Sequence, residues 1–174
     1  MIVFFSFLAS RNIHYLWVVS FAIFGQYITD LLDGEIGRRR NTGLIKWGYY
    51  MDHFLDYIFL CSILIGYGLM VEDHNKYLIF FILALFSAFM VNSFLSFAAT
   101  GKFKIAYMGI GPTEMRLIFI FVNTGIILFP DKSQIERVLP VVLTGATFAL
   151  FVTVYQTQKM LWKIDMENKR KAEE

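Results

Sequence analysis

The chain alternates between long runs without charge and short stretches where the charge is gathered. Residues 13–29 carry no charge beyond that of His14. Residues 57–71 are apolar and continue a helical pattern that begins near Trp47, and residues 77–99 contain no charge at all. Residues 117–129 are apolar, with a pattern that extends back through Pro112, and residues 138–155 form a last uncharged run. A bilayer core takes about 20 apolar residues per helix. The pattern therefore predicts five membrane helices, over residues 12–33, 47–71, 77–99, 112–129 and 137–160, in a single membrane domain covering 1–174. Residues 161–174 form a polar tail that extends the last helix into solvent. Residues 1–9 are apolar but too short to cross a bilayer; they read as the end of a further helix, with the chain starting late. A secretory signal is the competing reading of the first 30 residues. The start lacks basic residues and a pair of aspartates closes the second run, which argues against it.

Turn residues separate the runs at Asn41-Thr42-Gly43, at Glu72-Asp73-His74-Asn75 and at Pro130-Asp131. Gly111-Pro112-Thr113-Glu114 reads as a helix start, because proline suits the first turn and a glutamate suits the positive end of the helix dipole. Composition agrees with a membrane protein. The chain is 57% hydrophobic and 17% charged, where a soluble domain carries about 25% charged residues. The lone Cys61 excludes an intrachain disulfide. Of the 16 basic residues, twelve fall on one side when alternate connections are assigned to alternate sides, and four fall on the other. The positive-inside rule places the twelve, and the connection after the first long run, in the cytoplasm. The net charge of +2 adds little, and nucleic acid is not among the expected partners.

That connection and its flanks hold the chemistry. Asp30 and Asp33 lie three apart at the end of one helix; Gly48, Asp52 and Asp56 lie four apart at the start of the next. These spacings put each set on one helix face. The connection is short, so the two helices are expected to be antiparallel neighbours, with four carboxylates converging near the cytoplasmic rim. An aspartate at the bilayer centre costs about 2.5–3.5 kcal/mol, and adjacent like charges add to that cost. A hard divalent cation removes both problems, since Mg²⁺ takes carboxylate oxygens together with substrate phosphates. Two such ions can clamp a phosphoryl group during displacement. Arg38 adds a phosphate-binding charge, and Gly34 and Gly48 leave room for a ligand at the backbone. Solvated helix-end charges would explain any one aspartate, but not four at these spacings with glycines and an arginine between them.

The stretch Asp30-Leu-Leu-Asp33-Gly34-Glu-Ile-Gly37-Arg38, nine residues, then Gly48-Tyr-Tyr-Met-Asp52-His-Phe-Leu-Asp56 resembles the motif of the CDP-alcohol phosphotransferases. In that family it reads Asp-x-x-Asp-Gly-x-x-Ala-Arg, eight or nine residues, Gly-x-x-x-Asp-x-x-x-Asp. Gly37 stands where the family has alanine, a small-for-small change. The family's further helix before the motif, and its Asn-x-x-Thr-like segment near the cytidine, are not visible here. The resemblance implies an all-α, polytopic transmembrane helical bundle with six helices, of which five are visible in this sequence. It implies transfer of a substituted phosphate from a CDP-linked donor (CDP-diacylglycerol or a CDP-amino alcohol) to an alcohol acceptor in phospholipid biosynthesis, with release of CMP.

The same resemblance implies that Asp30, Asp33, Asp52 and Asp56 hold Mg²⁺ or Mn²⁺, as two ions. It implies that Gly34, Arg38 and Gly48 contact the donor, and that Asp56 is the general base for the acceptor hydroxyl. At least one substrate is a lipid, and the family resemblance implies a homodimer in a multi-pass membrane setting. Gly101-Lys102-Phe103-Lys104 is similar to a segment of members that use glycerol phosphate. With Arg116, these lysines are candidates for the acceptor's phosphate, although positive-inside anchoring explains the lysines equally simply; Glu114 is the candidate contact for an amino alcohol. His53 lies one residue off the aspartate stripe and reads as facing away from Asp52 and Asp56. Trp17, Trp47 and Trp162 read as interface anchors, and Asn92 and Asn123 as interhelical hydrogen-bonding residues. A divalent-cation or proton transporter using intramembrane carboxylates is the alternative function. The acids cluster at one rim and do not line a path across the bilayer, which favours the enzyme.

Overall fold

The computed structural model describes the backbone of residues 1–40, 43–101, 111–129 and 132–173, and the side chains of these except 33–40, 45, 112 and 132–135. Its α-helices are α1 (Ile2–Ala9), α2 (Leu16–Arg40), α3 (Ile45–Gly68), α4 (Lys76–Thr100), α5 (Pro112–Leu128) and α6 (Lys132–Glu173), with single 3₁₀ turns at Ile13–Tyr15 and Asp73–Asn75. The described residues form no strand. The apolar start expected as a helix end is α1, a short helix packed on α2 and α3.

Local chemistry sets the helix ends. The Asn12 side chain accepts from the His14 backbone N–H and starts the 3₁₀ turn that leads into α2. Gly101 closes α4 in the left-handed region at φ 66°, donating to the Phe97 carbonyl, a conformation that glycine adopts without a Cβ clash. At the start of α5, the Gly111 N–H donates to Glu114 Oε2 at 2.8 Å. That is the reciprocal bond of a capping box, with Pro112 in the first turn where no N–H is needed.

The helices enclose two apolar cores that share α3. The first joins Ala9 of α1, Leu16, Val19 and Ile23 of α2, Ile63 of α3, and Phe119 and Ile127 of α5. The second joins Leu64 of α3, Leu78, Ile79 and Ile82 of α4, and Leu139 of α6. α2 packs chiefly on α5 and α1, and α3 chiefly on α4 and α1. As neighbours joined by a short connection, α2 and α3 bring their acids together: Arg116 of α5 bridges Asp30 of α2 and Asp56 of α3.

Phe21, Phe80, Phe121, Phe148 and Phe151 all point outward and are exposed. A surface this apolar matches lipid, not water. Ile13–Leu32, Asp73–Thr100 and Glu136–Glu173 are long and apolar enough to cross a membrane. Interhelical polar contacts lie where the sequence places asparagines. Asn92 of α4 donates to Thr157 Oγ1 of α6 at 3.2 Å. Asn123 of α5 donates to Ser20 Oγ of α2 at 3.1 Å and accepts from the Tyr67 hydroxyl of α3 at 2.9 Å.

α1 approaches α3 closely at Gly66. A Cβ built on Gly66 would touch Ser6 Oγ and lie 2.8 Å from Ser6 Cβ. Gly66→Val is therefore expected to lower stability by roughly 1–3 kcal/mol through overpacking, read as thermal unfolding in detergent. Adding Ser6→Gly should recover part of the loss, whereas no recovery would show that Ser6 is not the clashing group.

Candidate active site

One face of α5 reaches into the bundle. Arg116, Phe119 and Asn123 are spaced three and four apart, share that face, and are 2%, 5% and 0% exposed. Phe119 and Asn123 seat the helix against α2 and α3, through the first core and the Ser20 and Tyr67 hydrogen bonds. Arg116, one turn nearer the α5 start, is carried by this packing to the level of the aspartates. Its guanidinium donates from Nε to Gln26 Oε1 at 2.7 Å, from Nη1 to Asp30 Oδ2 at 2.9 Å and from Nη2 to Asp56 Oδ1 at 2.6 Å. Its Cζ lies 5.8 Å from the centroid of the Phe59 ring, within cation–π range. Asp52 lies within hydrogen-bonding reach of Asp30. Two carboxylates, one from α2 and one from α3, thus hold one planar cation, and a third lies beside Asp30.

The geometry follows from helix spacing on each side. Gln26 and Asp30 are four apart on α2, and Asp52, Asp56 and Phe59 follow at four and three on α3. Each set lines one face toward α5. A guanidinium keeps its proton at any relevant pH. Burying it alone is prohibitive, so its place inside an apolar bundle depends on the two carboxylates and on the neutral glutamine that takes a third N–H.

The structure brings together Asp30, Asp52 and Asp56 of the residues singled out in the sequence. Asp56 is the deepest, 17% exposed against 34% for Asp30 and 48% for Asp52. Gly48 lies one turn before Asp52, and a Cβ there would meet nothing within 4 Å, so the backbone beside the carboxylates is open to a ligand. Asp33, Gly34 and Arg38 lie on the last turns of α2, and their side-chain surroundings are outside the described residues, as are Lys102 and Lys104 altogether. Arg116 joins the carboxylates.

His53 stacks on Tyr49 at 4.3 Å between ring centroids and packs near Phe94 of α4. It does not turn fully from the acids: its Nδ1 is 2.8 Å from the Tyr49 carbonyl oxygen and 3.4 Å from Asp52 Oδ2. Gln26 and Phe59 were not singled out in the sequence. Gln26 stands four before Asp30 in an otherwise apolar run, and Phe59 three after Asp56, and that shared face was the available signal.

The donor set suits a hard divalent cation. It is all oxygen and comes from facing helices, with Asp52 within hydrogen-bonding reach of Asp30. A different group, Glu72, His74 and Glu136, has ligand atoms within 4.8 Å of one another at the opposite end of the bundle. There His74 already pairs with Glu72 and Asn75. An open depression of about 630 Å³ adjoins it, lined in part by Ser10, Met70, Asp73 and Lys76.

The sequence profile of the CDP-alcohol phosphatidyltransferase family matches residues 1–157. No curated protein and no solved structure is similar enough to match the chain.

The buried Arg116–Asp56 pair makes a quantitative prediction. In a double-mutant cycle of Arg116→Gln and Asp56→Asn, thermal unfolding in detergent should show a coupling of at least about 1.5 kcal/mol, the size of a hydrogen bond to a charged group. Additive losses would show that the two side chains do not bond.

Proposed function

The chain belongs to the CDP-alcohol phosphatidyltransferase family, and we propose that it transfers a substituted phosphate from CDP-diacylglycerol or a CDP-amino alcohol to an alcohol acceptor. Membership makes it a membrane transferase of phospholipid synthesis. The finer reading is supported by one observation, the meeting of Asp30, Asp52 and Asp56 around a shared positive charge at one end of the bundle.

In this reading Asp30, Asp33, Asp52 and Asp56 hold two Mg²⁺ or Mn²⁺ ions. When bound, the ions neutralise the donor's phosphates and stabilise the charge that develops on them. Gly34, Arg38 and Gly48 take the nucleotide and diphosphate. The open space beside Gly48 supports an approach along the backbone there. The acceptor is met by Lys102 and Lys104 from the α4–α5 connection.

Asp56 acts as general base. Its carboxylate takes the proton from the acceptor hydroxyl. The acceptor oxygen bonds to the donor phosphorus as the bond from that phosphorus to the CMP oxygen breaks, and CMP departs with the electron pair. A carboxylate beside cations is a weak base, so its contribution is chiefly placement of the hydroxyl. The excess of basic residues at the aspartate end supports a cytoplasmic site, and the working form in this reading is a homodimer with at least one lipid substrate.

A transporter would need acids in series across the bilayer. Among the described residues, the polar groups deeper in the bundle, Ser20, Asn123 and Tyr67, are neutral and bonded to one another, which favours the enzyme.

The purified protein, given Mg²⁺ and a panel of labelled CDP-alcohols and acceptors, is expected to release CMP. No CMP from any donor, together with Mn²⁺ movement into liposomes, would replace the enzyme by the transporter. Asp56→Asn is expected to lower turnover by about 10²–10⁴-fold while Mn²⁺ still binds, more weakly than in the unaltered protein. Near-normal turnover would remove Asp56 as the base.

A further inference from the structure

Arg116 is held more completely than a side chain waiting for substrate. It is 2% exposed. Its three bonds use all three guanidinium nitrogens, and Phe59 lies under its carbon. Two of those bonds end on Asp30 Oδ2 and Asp56 Oδ1, oxygens of carboxylates that the proposed function gives to metal. We propose that Arg116 is the resident counter-cation of the aspartate cluster, and that its guanidinium and a divalent cation exclude one another from Asp30 and Asp56. The inference rests on the assignment of these aspartates as metal ligands.

An Mg²⁺ ligand oxygen lies about 2.0–2.1 Å from the ion, and an oxygen already accepting from a guanidinium at 2.6–2.9 Å has committed a lone pair on that side. The guanidinium cannot shed its charge to make way, so it must move or the ion must bind more weakly. In the low dielectric of a helix bundle, repulsion between the two cations is far larger than in water.

Gln26 helps to hold Arg116 on the aspartates. Its bond to Nε is neutral, does not compete for the carboxylates, and belongs to the pose in which Asp30 and Asp56 are held. When the guanidinium gives way it leaves Gln26 as well, and its N–H groups are released in the fork geometry that fits a phosphate. Loading of the cation would thereby free donors for an anionic substrate group. This joins the two roles open to Arg116, partner of the aspartates and ligand of a phosphate, in one side chain.

The test uses the full chain in phosphatidylcholine nanodiscs, with Mn²⁺ binding followed by electron paramagnetic resonance in the absence of substrate. Arg116→Gln is expected to bind Mn²⁺ at least about tenfold more tightly, the effect of removing bonds to charged groups that compete with the ion. A residue that only props the carboxylates in place would give the opposite sign, so unchanged or weaker binding overturns the proposal. Gln26→Leu removes no charge and should also tighten Mn²⁺, by up to about tenfold. If Arg116→Gln does not fold, this variant decides alone, and unchanged or weaker binding again overturns the proposal. Asp30→Asn and Asp56→Asn separate the two levels of argument. If they weaken Mn²⁺ binding while the Arg116 and Gln26 variants leave it unchanged, the metal site stands and only the exclusion falls. If the aspartate variants leave it unchanged, or the unaltered protein takes up no Mn²⁺, both fall.

Discussion

A guanidinium buried in an apolar bundle is the constraint around which the rest is arranged. Arg116 cannot become neutral, and in a medium of low polarity its charge must be matched at contact distance. Asp30 and Asp56 meet that demand from two different helices. The depth of α5 in the bundle, the height of α2 against α3 and the direction in which the acids point are all fixed by one set of short bonds. A shift of either helix by one residue would turn a carboxylate away and leave a charge unpaired. This makes the network a register device as much as a source of stability.

The helices around it reinforce the same placement. The face of α5 that carries Arg116 continues through Phe119 and Asn123, so apolar packing and the Ser20–Asn123–Tyr67 hydrogen bonds set the height at which the arginine arrives. At the far end, α1 is clamped to α3 through Ser6 and Gly66. The first core is therefore pinned at both ends of the membrane, by ionic contacts near the acids and by close backbone approach opposite them. α4 and α6 form the second core against the other side of α3, away from the acids. The chemistry falls in the half of the bundle whose geometry is most tightly specified.

Much of this was legible from spacing. Charge-free runs mark the helices because a bilayer leaves the backbone no other partner than itself. The intervals of three and four among Asp30, Asp33, Gly48, Asp52 and Asp56 define two helix faces from residue order alone. The start of α5 was readable from Gly111, Pro112 and Glu114 because capping is local chemistry. The partners of Arg116 were not readable, since Asp30 and Asp56 lie 86 and 60 residues away and only the packing of α5 on α2 brings them together. The short connection fixes where the ends of α2 and α3 meet, but no local rule says that α1 and α5 pack on both of their cores. His53 shows a smaller limit. One residue off a stripe is about 100° around the helix, far enough to reach α4 but not far enough to leave Asp52.

α6 carries a consequence of a different kind. It runs unbroken for 42 residues, about 63 Å at helical rise, roughly twice a hydrocarbon core of about 30 Å. Its final turns therefore stand clear of the bundle as a stiff rod at the aspartate end. A rod cannot fold back over the acids without breaking backbone hydrogen bonds along its length. Along residues 132–173 the helix therefore lends the acids no cover, and its length carries polar side chains well beyond the hydrocarbon instead.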